Sequence, residues 1–329
     1  MKGVIFSGMR PTGKLHLGNY FGALDNWIKL QEEYRCFFGV VDWHALTTGF
    51  ESTEMMKENI IEMVIDWLSA GIDPEKSTLL IQSHVPEHAE LHLLLSMITP
   101  LSWLERNPVV KEQVRDLDLK ENMGYGLLGY PVLMAADILI YNANAVPVGE
   151  DQSPHIELTR EIGRRFNSLY HNVFVIPELK LSPTPKILGT DGRKMSKSLK
   201  NNINISDSPE IIKTKIMSMI TDPEKIRLTD KGHPEICVVF DYHRIFNKKE
   251  LPKIEQKCRN AQLGCVACKN HLAAILSKSL QSFREKRKYY ENNRQLVWDV
   301  LNKGSQEARK VTQTTLVEVK KAMRIDYVQ

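Results

Sequence analysis

Gly8-Met9-Arg10-Pro11-Thr12-Gly13-Lys14-Leu15-His16-Leu17-Gly18-Asn19 follows the apolar run Val4-Ile5-Phe6 and precedes an amphipathic stretch over residues 20–34. The order is strand, Gly- and Pro-rich loop, helix. Such a loop offers an anion exposed backbone N–H groups and the positive end of a helix dipole, and Gly8, Gly13 and Gly18 let the backbone come close. His16 and Asn19, three residues apart at the expected helix start, can both donate hydrogen bonds to phosphate oxygens. The alternation continues with a strand at 36–41, a helix at 53–70 and a strand at 78–81. It predicts a parallel sheet wrapped by helices, with ligands gathering at the carboxyl ends of the strands.

The fold class expected is therefore α/β, a Rossmann-like parallel-sheet domain, followed by a helical C-terminal domain. From Pro209 onward apolar residues recur at helical spacing over 211–220, 271–283 and 311–323. The boundary is placed near 201–204, giving domains 1–203 and 204–329. At 329 residues the chain can bury a full core and divide in two. Its 42% hydrophobic and 26% charged residues describe an ordinary globular protein, and a net charge of +4 permits a polyanionic partner without demanding one. No charged, apolar and small-residue leader opens the sequence, which makes a cytoplasmic protein the expectation. The most apolar stretch, 126–148, is interrupted by Pro131, Asp137, Asn142, Asn144 and Pro147, and suits a pocket wall better than a membrane span.

A second segment, Lys194-Met195-Ser196-Lys197-Ser198, follows the turn Gly189-Thr190-Asp191-Gly192. Its lysines are point charges on flexible stems, suited to following a phosphate whose geometry changes during reaction. Alone, either segment fits a structural turn or a solvated loop. Together and in this order they resemble the paired ATP-handling signatures of class I aminoacyl-tRNA synthetases. The resemblance narrows at Tyr130-Pro131-Val132-Leu133-Met134-Ala135-Ala136-Asp137-Ile138-Leu139-Ile140-Tyr141, then Val146-Pro147-Val148-Gly149-Glu150-Asp151-Gln152 and His155-Ile156-Glu157-Leu158-Thr159-Arg160. Here the sequence is similar to the tryptophanyl-tRNA synthetases, over nearly its whole length.

The resemblance implies ATP-dependent tryptophan–tRNA ligase activity. Tryptophan is activated to tryptophanyl-adenylate with release of pyrophosphate and then transferred to the 3′ end of tRNA(Trp). It implies His16, Asn19, Lys194 and Lys197 as catalytic groups sharing the growing charge with Mg²⁺. It assigns ATP to Arg10, Pro11, Thr12, Gly18, Asn19, Gly149, Glu150, Asp151, Ile187, Lys194, Met195, Ser196, Lys197 and Ser198. Asp137 receives the indole N–H, Phe6, Met134, Val146 and Val148 enclose the ring, Tyr130 and Gln152 take the α-amino group, and His44 stands at the pocket edge. A homodimer is also implied. An indole nitrogen can only donate, so a buried carboxylate is a suitable reader of it; a tyrosine hydroxyl also donates, so Asp137 by itself does not separate the two amino acids. Arg10, Val109 and Gln113 depart from the residues many relatives carry, Gln, Gln and Lys respectively, and Arg10 is expected to supply charge that the missing lysine would.

Four of the five cysteines, Cys237, Cys258, Cys265 and Cys268, form C-x20-C-x6-C-x2-C, while Cys36 lies apart in a strand. Few cysteines fit a reducing compartment. Four thiolates converging on one centre match tetrahedral zinc or an iron–sulfur cluster. The spacing is similar to that of tryptophanyl-tRNA synthetases with a [4Fe–4S] cluster in the anticodon-binding domain, although the first gap is shorter, and the cluster is favoured over Zn²⁺. Arg284-Glu285-Lys286-Arg287-Lys288-Tyr289-Tyr290 mixes cations with aromatics in the manner of RNA-contacting surfaces, a pattern that a solvated helix face also produces. Other readings are the tyrosine enzyme of the same superfamily, a catalytically silent RNA- or nucleotide-binding paralogue, and a small-molecule nucleotidyltransferase. The helical region and the four cysteines are hard to explain on the last of these.

Overall fold

The computed structural model describes residues 1–116, 123–181 and 187–327. Five strands, β1 (Val4–Met9), β2 (Arg35–Val40), β3 (Ser77–Ile81), β4 (Ala145–Val148) and β5 (Glu178–Leu181), form one parallel sheet in the order β3-β2-β1-β4-β5. The order reverses between β1 and β4, which pair at Ile5 and Ala145, and opens a crevice at their carboxyl ends. Phe6, Phe37 and Val146 point from the strands into the apolar core. The predicted α/β class and parallel sheet are thus present; the three expected strands, 4–6, 36–41 and 78–81, correspond to β1, β2 and β3 with ends shifted by at most three residues, while β4 and β5 were not expected.

The first helix differs from expectation. It starts at Leu17 rather than at Tyr20, continues as a π-helical turn over Tyr20–Leu24, and resumes as an α-helix over Asp25–Leu30.

The chain packs as two compact units. One comprises residues 1–13, 25–183 and 293–329, the other residues 14–24 and 184–292. The sequence expectation was a single cut at 203/204; instead the chain crosses between units four times. The last helix, Arg294–Met323, belongs to the first unit because its small-residue face seats on edge strand β3. Ser305 Oγ accepts from the Ile81 N–H at 3.1 Å, satisfying an edge donor that no further strand pairs. Arg294 bonds Glu58 at 2.6 and 2.9 Å and Glu62 at 2.6 Å. The second unit is mainly helical, with Pro209–Ser218, Val238–Phe246, Leu251–Arg259, Cys265–Ser279 and Gln281–Asn292. No helix among the described residues is long and apolar enough to cross a membrane.

Gly304 is the tightest point of that seat, since a Cβ there would lie 1.9 Å from the Leu79 carbonyl oxygen. Gly304→Ala is expected to cost about 1–3 kcal/mol by overpacking. Denaturant unfolding measures this, and a change within about 0.5 kcal/mol, the range of indifferent surface substitutions, would refute the close seat.

Candidate active site

Helix Tyr125–Leu139 carries Tyr130, Met134 and Asp137 at positions i, i+4 and i+7, so all three face the same way. They wall a cavity of about 280 Å³ at the carboxyl ends of β1 and β4, with Phe6, Val146, Val148, His44, Arg10 and Gln152 also lining it. Every residue assigned to the tryptophan pocket is therefore brought together on the first unit. Gln113 joins them, its Oε1 buried and without a hydrogen-bond partner among the described residues; Val109 does not line the cavity.

Asp137 is 2% exposed, and isolated burial of a carboxylate would cost several kcal/mol. Three donors meet it. Gln82 Nε2 lies 2.8 Å from each carboxylate oxygen, His88 Nδ1 2.6 Å from Oδ1, and His44 Nε2 3.0 Å from Oδ2. Although burial favours the neutral acid, neighbouring His88 and the hydrogen bonds from His44 and His88 hold the carboxyl below its ordinary range. Asp137 is ionised, and only accepts.

Tyr130 is oriented by a second chain of bonds. Asn107 Oδ1 accepts from the backbone N–H groups of Val109 at 3.0 Å and Val110 at 3.4 Å, which turns its Nδ2 toward His155 Nδ1 at 3.3 Å. Burial pushes the His155 pKa down to about 4. His155 is thus neutral at pH 7 with its proton on Nε2, and donates to Tyr130 Oη at 2.6 Å. Arg10 lies 5.8 Å from the Tyr130 ring centroid. Glu150 and Asp151 are exposed, after Gly149.

The two signature segments meet within the second unit. Residues 15–17 lie antiparallel to 203–205, with Leu17 N–H donating to Ile203 O at 2.9 Å and Ile205 N–H to Leu15 O at 3.0 Å. His16 caps its helix. Its Nδ1 accepts from Asn19 N–H at 3.2 Å while Asn19 Oδ1 accepts from His16 N–H at 3.2 Å. Burial, and then the Lys197 charge, push the His16 pKa down to about 4. Its remaining proton sits on Nε2, and Asn19 is left with Nδ2 as its side-chain donor. Each side chain keeps one nitrogen as a donor, the other polar atom being consumed by the cap. A Cβ added to Gly18 would lie 3.5 Å from Met195 Cβ, so the segments are in contact.

Asn201 holds the lysine loop. Its Oδ1 accepts from Ser196 N–H at 2.8 Å, and its Nδ2 donates to Asp191 Oδ1 at 2.7 Å and Lys194 O at 3.1 Å. Met195 is buried as the loop's anchor, Lys194 and Ser198 are exposed, Ser196 and Lys197 half-buried, and Ile187 is buried just before the turn.

Cys237, Cys258, Cys265 and Cys268 line one small apolar cavity with Phe240, Ile254 and Lys225. All are free thiols. Convergence on a single ion is not found: among the described residues no three His, Cys, Asp or Glu side chains are grouped closely enough to hold one. Burial pushes the Cys268 thiol up to about 12, with the other three cysteines adding to the effect.

The basic segment also needs correcting. Arg287 is 3% exposed and pairs with Glu291 at 2.9 Å, and Arg284 is half-buried with Nη2 donating to Ser277 O at 2.7 Å. Glu285, Lys286, Lys288 and Tyr289 are the members at the surface.

Residues 2–281 match the family model of tRNA synthetases class I (W and Y). The tryptophan–tRNA ligase of Thermotoga maritima is 49% identical over 98% of this chain and 99% of its own, and that of Aquifex aeolicus 46% identical over 98% and 99%. This chain belongs to the tryptophanyl-tRNA synthetase family. The crystal structure of the Campylobacter jejuni tryptophanyl-tRNA synthetase complexed with ADP and tryptophan superposes with a TM-score of 0.88 at 33% identity, covering 98% of this chain and 99% of that one.

Gln82, His88, Tyr141, Asn107, His155 and Asn201 carry roles that sequence reasoning did not assign. Signals existed for some: Gln82 and His88 follow the carboxyl end of β3, Tyr141 is four residues from Asp137, and Asn107-Pro108 has the form of a helix cap. Asn201→Ala is predicted to cut the turnover of tryptophan-dependent pyrophosphate exchange by about tenfold to hundredfold by loosening the lysine loop. Tryptophan affinity should change less than about threefold, the cavity being on the other unit. Equal damage to both would refute a local clamp.

Proposed function

We propose that the first-unit cavity binds tryptophan with its indole N–H on Asp137, and that the signature pair of the second unit handles the phosphates of ATP. The observation carrying this reading is a buried, ionised, acceptor-only carboxylate at the head of a cavity built at the strand switch point. Family membership makes the reaction ATP-dependent ligation of tryptophan to tRNA(Trp). The tryptophan carboxylate attacks the α-phosphate in line and pyrophosphate leaves; a ribose hydroxyl of the terminal adenosine of the tRNA then attacks the adenylate's carbonyl, the acyl–phosphate bond breaks and AMP leaves.

In this reading Phe6, Met134, Val146 and Val148 enclose the indole. Tyr130 Oη, one lone pair already taken by His155, and the side-chain oxygen of Gln152 accept from the α-ammonium; the unpartnered Gln113 Oε1 offers a further acceptor. Arg10 brings a fixed cation to the cavity. Pro11, Thr12 and Gly18 shape the phosphate loop, the backbone of Gly149, Glu150 and Asp151 on the first unit is assigned to adenosine, and Ile187 on the second unit is assigned to ATP. His16 through Nε2–H, Asn19 through Nδ2, and Lys194 and Lys197 stabilise the charge on the departing pyrophosphate, with Met195, Ser196 and Ser198 placing the lysines. When bound with the triphosphate, Mg²⁺ would share that charge with these residues. No residue needs to act as a covalent nucleophile.

The helices of the second unit between 209 and 292 serve the tRNA anticodon, with Lys286, Lys288 and Tyr289 on the surface that meets RNA. A [4Fe–4S] cluster is proposed at Cys237, Cys258, Cys265 and Cys268. Four unpaired thiols around one cavity suit a polynuclear centre better than a single ion, and Lys225 beside them offsets thiolate charge. Such a cluster would tie the helices together without taking part in ligation. Exposed Leu93, Met97, Leu101 and Tyr125 on the first unit supply apolar surface for the homodimer, and the cytoplasm is its proposed compartment.

Exchange of labelled pyrophosphate into ATP is expected with tryptophan and not with tyrosine; exchange with tyrosine, or with neither, contradicts the reading. Arg10→Gln is expected to lower exchange turnover about tenfold or more, as loss of one preorganised charge does. An unchanged rate would show that Arg10 does not replace the missing lysine. tRNA binding should weaken steeply as salt rises, because lysine and arginine contacts release counterions, and a flat response would argue against the RNA surface.

A further inference from the structure

Of the three donors on Asp137, only His44 lines the cavity. Gln82 and His88 approach from behind, fully buried. Gln82 is fixed by Trp43, whose backbone N–H donates to Gln82 Oε1 at 3.2 Å. His88 is held at both ring nitrogens. Nδ1 lies 2.6 Å from Asp137 Oδ1 and Nε2 lies 2.8 Å from Tyr141 Oη. Tyr141 is itself locked between Phe6, with centroids 5.1 Å apart and rings nearly parallel, and Phe37 at 4.5 Å.

Gln82 spans both oxygens and His88 and His44 each meet one, so four contacts already engage the roughly four lone-pair positions of the carboxylate, and a ligand N–H must share the Oδ2 position on the cavity side with His44. Where that position points depends on the torsion of the carboxylate, and the shortest bond controlling it comes from His88. We propose that His88 is a positioning residue that sets tryptophan affinity, and the preference for a ring bearing N–H, by turning Asp137 toward the cavity without touching substrate. This rests on the assignment of Asp137 to the indole N–H.

The test is pyrophosphate exchange with tryptophan and with 3-(benzothiophen-3-yl)alanine, in which sulfur replaces the N–H in a ring of similar shape. Wild-type protein should prefer tryptophan by at least about a hundredfold in kcat/KM, as sites built around a substrate donor do. No preference would overturn the Asp137 assignment itself. Given that preference, His88→Ala should raise the tryptophan KM about tenfold to hundredfold with kcat within about threefold, the loss expected for a hydrogen bond to a charged group. The analogue's constants should move less than about threefold.

Two further variants separate positioning from packing. The side-chain amide nitrogen of asparagine stands as many bonds from Cα as His Nδ1, and that of glutamine as many as Nε2. His88→Asn can keep the Asp137 bond and should recover most of the preference, whereas His88→Gln, reaching Tyr141 instead, should not. Rescue by Gln and not Asn, rescue by both, or rescue by neither overturns the proposal. So does an equal loss on both amino acids, which is the mark of a merely structural residue. The Asn and Gln pair carries the test even if the alanine cavity prevents folding.

Discussion

Burying a carboxylate is the constraint around which the first unit is organised. Asp137 sits at the end of a buried helix, where an unpaired charge would cost more than most single contacts supply. Gln82, His88 and His44 come from three separate segments that follow β3 and β2, so satisfying one side chain ties the helix Tyr125–Leu139 to the carboxyl ends of two strands. On the proposed reading the same arrangement creates selectivity: a ligand N–H gains the carboxylate on the cavity side, where His44 stands, and a ligand of equal shape without an N–H gains nothing there. Stability and recognition would then draw on one network.

The second unit solves a different problem, holding mobile cations near a fixed donor. The short antiparallel contact between 15–17 and 203–205 brings His16 next to the segment that Asn201 braces. Asn201 takes its partners from Asp191, Lys194 and Ser196, so one buried amide links the turn, the loop and the strand-like segment after it. Lys194 and Lys197 remain on long stems at the end of this braced frame. That combination suits phosphoryl chemistry, in which backbone and cap are preorganised while the cations follow charge as it develops.

Much of this was legible because it is local. Strand–loop–helix order, the apolar alternation and the quoted segments depend on neighbours within about twenty residues, and the parallel sheet followed from them. The i, i+4, i+7 face of Tyr130, Met134 and Asp137 could be read from spacing alone. What escaped was contact between distant segments. No local signal announced that Arg294–Met323 returns to the sheet, since Gly304 and Ser305 read as weak helix residues until β3 lies against them. Nor could spacing show that His16 spends its Nδ1 on a cap, or that Arg287 is buried in an ion pair rather than offered to RNA. The cysteine spacing suggested one converging metal centre; the four thiols do line a common cavity, yet among the described residues they do not form a group that could hold an ion, which only tertiary geometry decides.

The most direct measurement of the central claim is the NMR signal of the indole N–H proton in ¹⁵N-indole-labelled tryptophan bound to the protein. A charge-assisted hydrogen bond to Asp137 predicts a signal moved downfield from that of free tryptophan and protected from exchange with water. A bound tryptophan whose indole proton keeps its free position and exchanges freely would contradict the account.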